Sequence, residues 1–159
     1  MNGYYNVIES PFGPLTPVVD LAGALQILYF GENHPSGYAL NAEKTAHVER
    51  QLREYLNRER TNFDLPLNPK GTEFQHSVWR LLTKIPQGVT RSYGDLAKEL
   101  GRPGASRAVG RANATNPIAI IVPCHRVIGS NGTLTGYAGG LSMKEKLLEF
   151  EQGLTARLF

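Results

Sequence analysis

The 159-residue chain predicts an α+β protein, with a small antiparallel sheet and one helix in residues 1–70 and a mainly helical segment with a helix-turn-helix in residues 71–159. Three observations carry this reading: short runs rich in β-branched and aromatic residues near the start, capping-box pairs ahead of helical apolar stripes, and a Gly/Pro turn between two short helical patterns further on.

Tyr4 to Glu9, Leu15 to Val19 and Leu25 to Phe30 are the three strand candidates, separated by Pro11-Phe12-Gly13-Pro14 and by Asp20 to Gly23. A loop from Gly31 to Asn41 leads to a charged segment in which Val48, Leu52, Tyr55 and Leu56 form one helical stripe, expected to pack on the sheet. Phe63 to Leu67 is a further edge-strand candidate, and Pro66 followed by Asn68-Pro69-Lys70-Gly71 reads as a linker that sets the domain boundary after residue 70.

Beyond the linker, Thr72 with Gln75 forms a capping-box pair, and Phe74, Val78, Leu81, Leu82 and Ile85 follow at helical spacing until Pro86 and Gly88. Ser92 with Asp95 starts a shorter helix through Leu100. Gly101-Arg102-Pro103-Gly104 turns the chain, and Ala105 to Ala114 reads as a small-residue helix. Ile118 to Val122 is a β-branched run that reaches Pro123-Cys124, Gly129-Ser130-Asn131-Gly132 marks a turn, and Ser142 with Glu145 is expected to cap a last helix carrying Leu147 and Leu148.

Charge is distributed unevenly: residues 1–70 hold 6 Lys+Arg against 8 Asp+Glu, and residues 71–159 hold 11 against 6, giving −2 and then +5. A basic half suits a polyanionic partner, nucleic acid first, although a solvated basic face gives the same count. No basic, apolar and small-residue sequence resembling a signal peptide opens the chain, and every apolar stretch is interrupted before membrane-spanning length, so a soluble, cytoplasmic protein is expected. A single cysteine, Cys124, excludes an internal disulfide or a multi-cysteine zinc site and leaves a buried bystander or a reactive thiol.

The small-residue helix carries Arg107 and Arg111 on one face, where Ala and Gly neighbours would allow close approach to a nucleic acid groove. Pro123-Cys124-His125-Arg126 then puts a thiol beside an imidazole and a guanidinium, neighbours that favour the thiolate. Adjacent residues of a regular strand point to opposite faces, so coupling Cys124 to His125 requires a turn at Pro123 or an intervening water, and a water-bridged relay is expected. A carboxylate would hold the imidazole tautomer, with Glu151, Glu145 and Glu149 as candidates that spacing does not separate. Cys-His pairs also serve thiol proteases and redox proteins. No second cysteine exists to resolve a redox cycle, and a basic helix-turn-helix has no evident purpose in peptide hydrolysis.

From Gly71 to Glu151 the chain resembles the O6-alkylguanine-DNA alkyltransferases, also called methylated-DNA-protein-cysteine methyltransferases. The resemblance rests on Asn116-Pro117, on Pro123-Cys124-His125-Arg126-Val127 and on Tyr137-Ala138-Gly139-Gly140-Leu141, with looser support from Ser92 to Ala97 and Ser106 to Gly110. It implies that Cys124 is the alkyl acceptor, His125 the base acting through water, Glu151 the carboxylate that orients it, and Asn116 a strut for the active-site turn. It further implies that Arg107 fills the gap left by a flipped guanine in the minor groove, that Tyr93 crowds the phosphate, and that Tyr137 with backbone near Val127, Ala138 and Gly139 forms the base pocket. Some members have Ser where Ala138 stands, so only its backbone NH could contribute.

The implied activity is a single-turnover, irreversible transfer of the alkyl group from O6-alkylguanine in duplex DNA, possible also for O4-alkylthymine, by a monomer without metal or cofactor. Two other readings are a lesion-recognition protein without transfer, a group that lacks the acceptor cysteine, and a DNA-binding regulator in which Cys124 is packed or redox-sensing.

Overall fold

The structure is a computed structural model that describes residues 1–153; residues 154–159, the end of the expected second segment, lie outside the described residues. The chain divides into two compact units, one of residues 1–70 and one that begins at Gly71.

In the first unit, strands β1 (Gly3–Tyr5), β2 (Leu15–Asp20) and β3 (Leu25–Phe30) pair antiparallel in sequence order. A fourth strand, β4 (Tyr38–Leu40), pairs parallel to β1 and gives the order β3-β2-β1-β4. It occupies the end of the segment read from sequence as a loop, since three residues are too few to show alternation. The first strand is shorter than expected: Ile8 survives only as a bridge to Leu15. Gly3 is required by close approach, since a Cβ there would sit 2.0 Å from the Val19 carbonyl oxygen.

Helix α1 (Ala42–Leu56) starts at Asn41, whose side chain accepts from the Lys44 N–H, and buries Val48, Leu52, Tyr55 and Leu56 against the sheet as the stripe predicts. The expected edge strand at Phe63 to Leu67 does not form. Pro66 has no N–H to donate, Gln51 binds both backbone groups of Asp64 at 2.9 Å, and only Leu67 bridges to Leu25.

The second unit is built on α2 (Glu73–Leu82), α3 (Tyr93–Glu99), α4 (Ser106–Ala114) and α5 (Leu141–Glu151). Both expected capping boxes are present, Thr72 with Gln75 and Ser92 with Asp95. Helices α2 and α3 each pack on α4, and the Trp79 indole N–H donates to the Ala112 carbonyl at 2.9 Å. The third expected cap is absent: α5 begins one residue before Ser142, after Gly140 at φ 94°, with no side-chain cap.

Ile118 to Val122 is buried, but in place of a strand it has an isolated bridge at Ile118 followed by turns over residues 119–121. Ile120 has φ 71°, a left-handed value that is strained for a β-branched residue. The Asn116 side chain satisfies backbone groups that a neighbouring strand would otherwise meet: Oδ1 accepts from Ile118 N–H at 3.0 Å and Nδ2 donates to the Val122 carbonyl at 2.8 Å. The turns end in a single 3-10 turn, Cys124–Arg126, and in β6 (Val127–Ile128), which pairs parallel with β5 (Arg91–Ser92) just ahead of α3. This short pairing joins the thiol-bearing turn to the start of the helix-turn-helix.

Candidate active site

Cys124, His125 and Arg126 occupy one 3-10 turn and are all buried. Because the turn replaces a strand, consecutive side chains need not alternate between opposite faces. Helix α5 brings Glu151 to the same place: its Oε2 lies 2.9 Å from His125 Nε2, while Arg126 donates from Nε and an Nη to the two carboxylate oxygens at 2.8 Å each. The other Arg126 Nη donates to the Ile85 carbonyl at 2.6 Å, so the guanidinium is fixed on three acceptors. The imidazole Nε2 stands close against the carboxylate, and its Nδ1 has no hydrogen-bond partner among the described residues.

This geometry assigns the charges. Burial raises the Glu151 carboxyl, but hydrogen bonds from Arg126 and His125 overcome that and hold it at about 2, so it is ionised. Burial pushes His125 below the usual imidazole value against the pull of Glu151, leaving it neutral at pH 7. Burial pushes the Cys124 thiol up, opposed by an Asn116 hydrogen bond and the Lys144 charge. The sequence expectation of a thiolate stabilised by its neighbours is therefore corrected for the resting protein: Arg126 is spent on Glu151, and the buried sulfur keeps its proton.

Three other groups brace the turn. Asn113 of α4 is buried and donates to the Cys124 carbonyl at 3.4 Å, which also receives the Val127 N–H. Lys144 of α5 is fully buried, donating to the Val127 carbonyl at 2.7 Å and to the Thr135 carbonyl at 3.3 Å. The Val127 carbonyl, read from sequence as part of a base pocket, thus already has one donor. Tyr137 is half-buried with its ring edge-on to His125, centroids 6.4 Å apart, and burial raises its phenol well above the usual value, so it stays protonated. Ala138 and Gly139 lie in the turn closed by the Gly140 N–H on the Tyr137 carbonyl, with Ala138 exposed.

Arg107 and Arg111 are exposed on α4. A concavity of about 490 Å³ is lined by Tyr93, Gly94, Ser106, Arg107 and Gly110 on one side and by 129–131 and Thr135 on the other. Cys124 is not among its walls. The Tyr93 hydroxyl is hydrogen-bonded to Thr135 Oγ1, a contact that its expected role against a phosphate did not anticipate.

Sequence reasoning missed Asn113, Thr135, Lys144 and the true partner of Arg126. Lys144 left a trace: it shares a helical register with Leu147 and Glu151, an apolar position given to a cation. Among the described residues no group of three or more His, Cys, Asp or Glu side chains could hold a metal, and no helix is long and apolar enough to cross a membrane.

Residues 73–153 match the family described as the DNA-binding domain of 6-O-methylguanine DNA methyltransferase. The methylated-DNA–protein-cysteine methyltransferase of Methanosarcina acetivorans is 51% identical over 152 residues, covering 93% of this chain and 97% of that protein. The protein of the same name from Mycobacterium tuberculosis is 47% identical over 154 residues, covering 94% and 92%. The solved structure of Mycobacterium tuberculosis OGT in complex with DNA superposes with a TM-score of 0.89 at 47% identity, covering 94% of this chain and 93% of that one. Identity at this level over nearly the whole length, with the same fold, shows that the chain belongs to the methylated-DNA–protein-cysteine methyltransferase family.

Proposed function

We propose that this protein repairs duplex DNA by moving the alkyl group of an extruded O6-alkylguanine onto Cys124, once per molecule. The observation that carries the reading is the buried set beside Cys124, a neutral imidazole held against a carboxylate that Arg126 keeps ionised. Such a set accepts a proton when a nucleophile is needed and has little use in a static core.

The reaction needs the base out of the stack, because a stacked base cannot present its alkyl carbon in line with a sulfur held by the protein. Arg107 fills the resulting gap, and Tyr93 crowds the phosphate after leaving Thr135. His125 takes the thiol proton through a water at Nδ1, and Glu151 stabilises the imidazolium. The sulfur attacks the alkyl carbon, the carbon–O6 bond breaks, and its electrons pass into the guanine ring. Tyr137 donates to a ring acceptor as that charge grows. The guanine anion then takes up one proton and the imidazolium releases one, so the proton count closes. The thioether is stable, and no residue offers a way to remove it.

Asn116 supports the acceptor turn, and backbone at Val127, Ala138 and Gly139 borders the base. The scheme assigns the chemistry to residues 71–159 and needs no metal or cofactor. Cytoplasmic residence belongs to the same proposal, since the acceptor must remain a free thiol.

Incubation with duplex DNA containing O6-methylguanine, followed by peptide mapping by mass spectrometry, tests the reading. Methylated Cys124 is expected. An unmodified Cys124 in a protein that binds DNA regardless of the lesion would overturn it in favour of a regulator.

A further inference from the structure

Among the described residues, two that are not glycine have positive φ, and they differ in kind. Arg58, at φ 62°, is exposed and follows Asn57, the C-cap of α1, where a left-handed residue commonly ends a helix. Ile120, at φ 71°, is 1% exposed, stands apart from any helix end and is β-branched, the kind of side chain that this conformation suits least. It lies four residues before the acceptor sulfur, and the alkyl-transfer scheme gives it no part. Strained backbone persists only where its surroundings over-determine it, and such residues gather at functional sites.

The surroundings of Ile120 do over-determine it. The Ile121 N–H donates to the Ala119 carbonyl at 2.8 Å, closing a three-residue turn around Ile120, and the Val122 N–H donates to the Ile118 carbonyl at 3.0 Å. A second three-residue turn follows around Pro123, at φ −82° and ψ 65°, closed by the Cys124 N–H on the Val122 carbonyl at 2.8 Å. The Asn116 side chain meets the Ile118 N–H and the Val122 carbonyl, so it clamps both ends of the segment. By composition the β-branched run from Ile118 to Val122 favours extension, and extended backbone carried on to Cys124 and His125 would send their side chains to opposite faces. The left-handed residue folds the run back, and both groups arrive on one 3-10 turn.

Resting on the repair reading above, we infer that Ile120 is a positioning residue: its left-handed backbone breaks the run out of a strand and sets Cys124 where His125 and an extruded base can both reach it. The backbone conformation at 120 is what transfer requires. The buried side chain and the Asn116 clamp hold it.

The test sets Ile120→Gly against Ile120→Ala, with thermal melting of each protein and single-turnover methyl transfer from an O6-methylguanine duplex measured across DNA concentrations. Both variants lose the buried side chain, but only glycine takes positive φ without cost. Ile120→Gly should melt about 3 °C above Ile120→Ala, the reverse of their order in ordinary backbone, and should keep a saturating rate within about threefold of wild type. Ile120→Ala should lose roughly 10- to 100-fold in the saturating rate, the scale expected when a reacting atom is displaced by about 1 Å, at an unchanged half-saturating DNA concentration.

A side chain that only fills space predicts the opposite order, because alanine leaves the smaller void. Ile120→Ala equal to or above Ile120→Gly in melting temperature or in saturating rate overturns the inference, as does a loss in both variants that comes through weaker DNA binding. If Ile120→Ala does not fold and Ile120→Gly does, the order of stability is the expected one and the Ile120→Gly rate decides. If neither folds, the side chain alone holds the segment and the inference falls. Absence of wild-type transfer would instead remove the repair reading, while the melting order still tests the strained turn.

Discussion

Arg126 holds Glu151 through two parallel hydrogen bonds of 2.8 Å, and both side chains are buried. The same carboxylate stands 2.9 Å from His125, so one anion serves a permanent cation and an imidazole that becomes cationic only during reaction. Arg126 therefore acts at one remove from the chemistry. It keeps Glu151 charged while His125 is neutral.

Replacing Arg126 should be costly in two separable ways. Arg126→Met leaves a buried carboxylate without its main partner, a change worth about 3–5 kcal/mol in stability. Arg126→Lys should recover part of that stability but lose the two-pronged grip. Urea denaturation monitors the first effect and the transfer rate monitors the second. A Lys variant with wild-type rate would show that the fork geometry does not matter.

Acid stability should report Glu151 directly. Its folded-state value, about 2, lies below the ordinary 4.5, so its contribution is fully present above about 4.5 and is lost as pH falls through about 2. The size is on the order of 3 kcal/mol. Glu151→Gln should therefore flatten the decline in stability between pH 5 and 2, within the ~4.5 to ~2 window that this shift defines. Denaturation curves across that range check it, and parallel curves for the two proteins would contradict it.

How far the sequence led depended on the range of each interaction. Capping boxes at Thr72 and Ser92 and the stripe Val48–Leu52–Tyr55–Leu56 were readable because their partners lie within one or two helical turns. The parallel pairings β1–β4 and β5–β6 were not, because strands of two or three residues carry no periodicity and their partners are far along the chain. At the site, Cys124 and His125 stood out as adjacent chemical groups. Arg126 was adjacent too, yet its partner, 25 residues away, could only be found in three dimensions. The thiolate expectation differs for that reason: sequence proximity assigns the guanidinium to the thiol, while the fold gives it to Glu151 and buries the sulfur.

The base should show itself in the pH dependence of transfer. His125 is pushed below the usual imidazole value by burial, so it remains able to accept a proton through neutral pH and fails only when acid protonates it. Single-turnover rates should hold from pH 8 to below the ordinary histidine range and then fall. His125→Ala should slow transfer by about 10²–10⁴-fold and remove that acid limb while leaving DNA affinity nearly intact. Equal losses in rate and affinity would make His125 a structural residue.

Lys144 offers a check on the sulfur. Its charge pulls the Cys124 thiol down against the effect of burial, and its Nζ holds the Val127 and Thr135 carbonyls. Lys144→Met should move the pH profile of iodoacetamide labelling at Cys124 to higher pH and lower thermal stability. A labelling profile that stays in place would show that the cation matters for packing alone.

Arg107 separates DNA recognition from alkyl chemistry. It is exposed on α4 and has no carboxylate partner among the described residues, whereas Arg126 is buried and paired. If it fills the stack behind a flipped base, its removal raises the free energy of the extruded state and leaves the reaction at sulfur untouched. Arg107→Ala should then slow transfer from duplex DNA by roughly 10-fold or more, as the loss of about 1.4 kcal/mol implies, while transfer from free O6-methylguanine base is unchanged. Equal slowing on both substrates would place Arg107 outside the extrusion step, and a loss confined to low-salt binding would mark it as a phosphate contact.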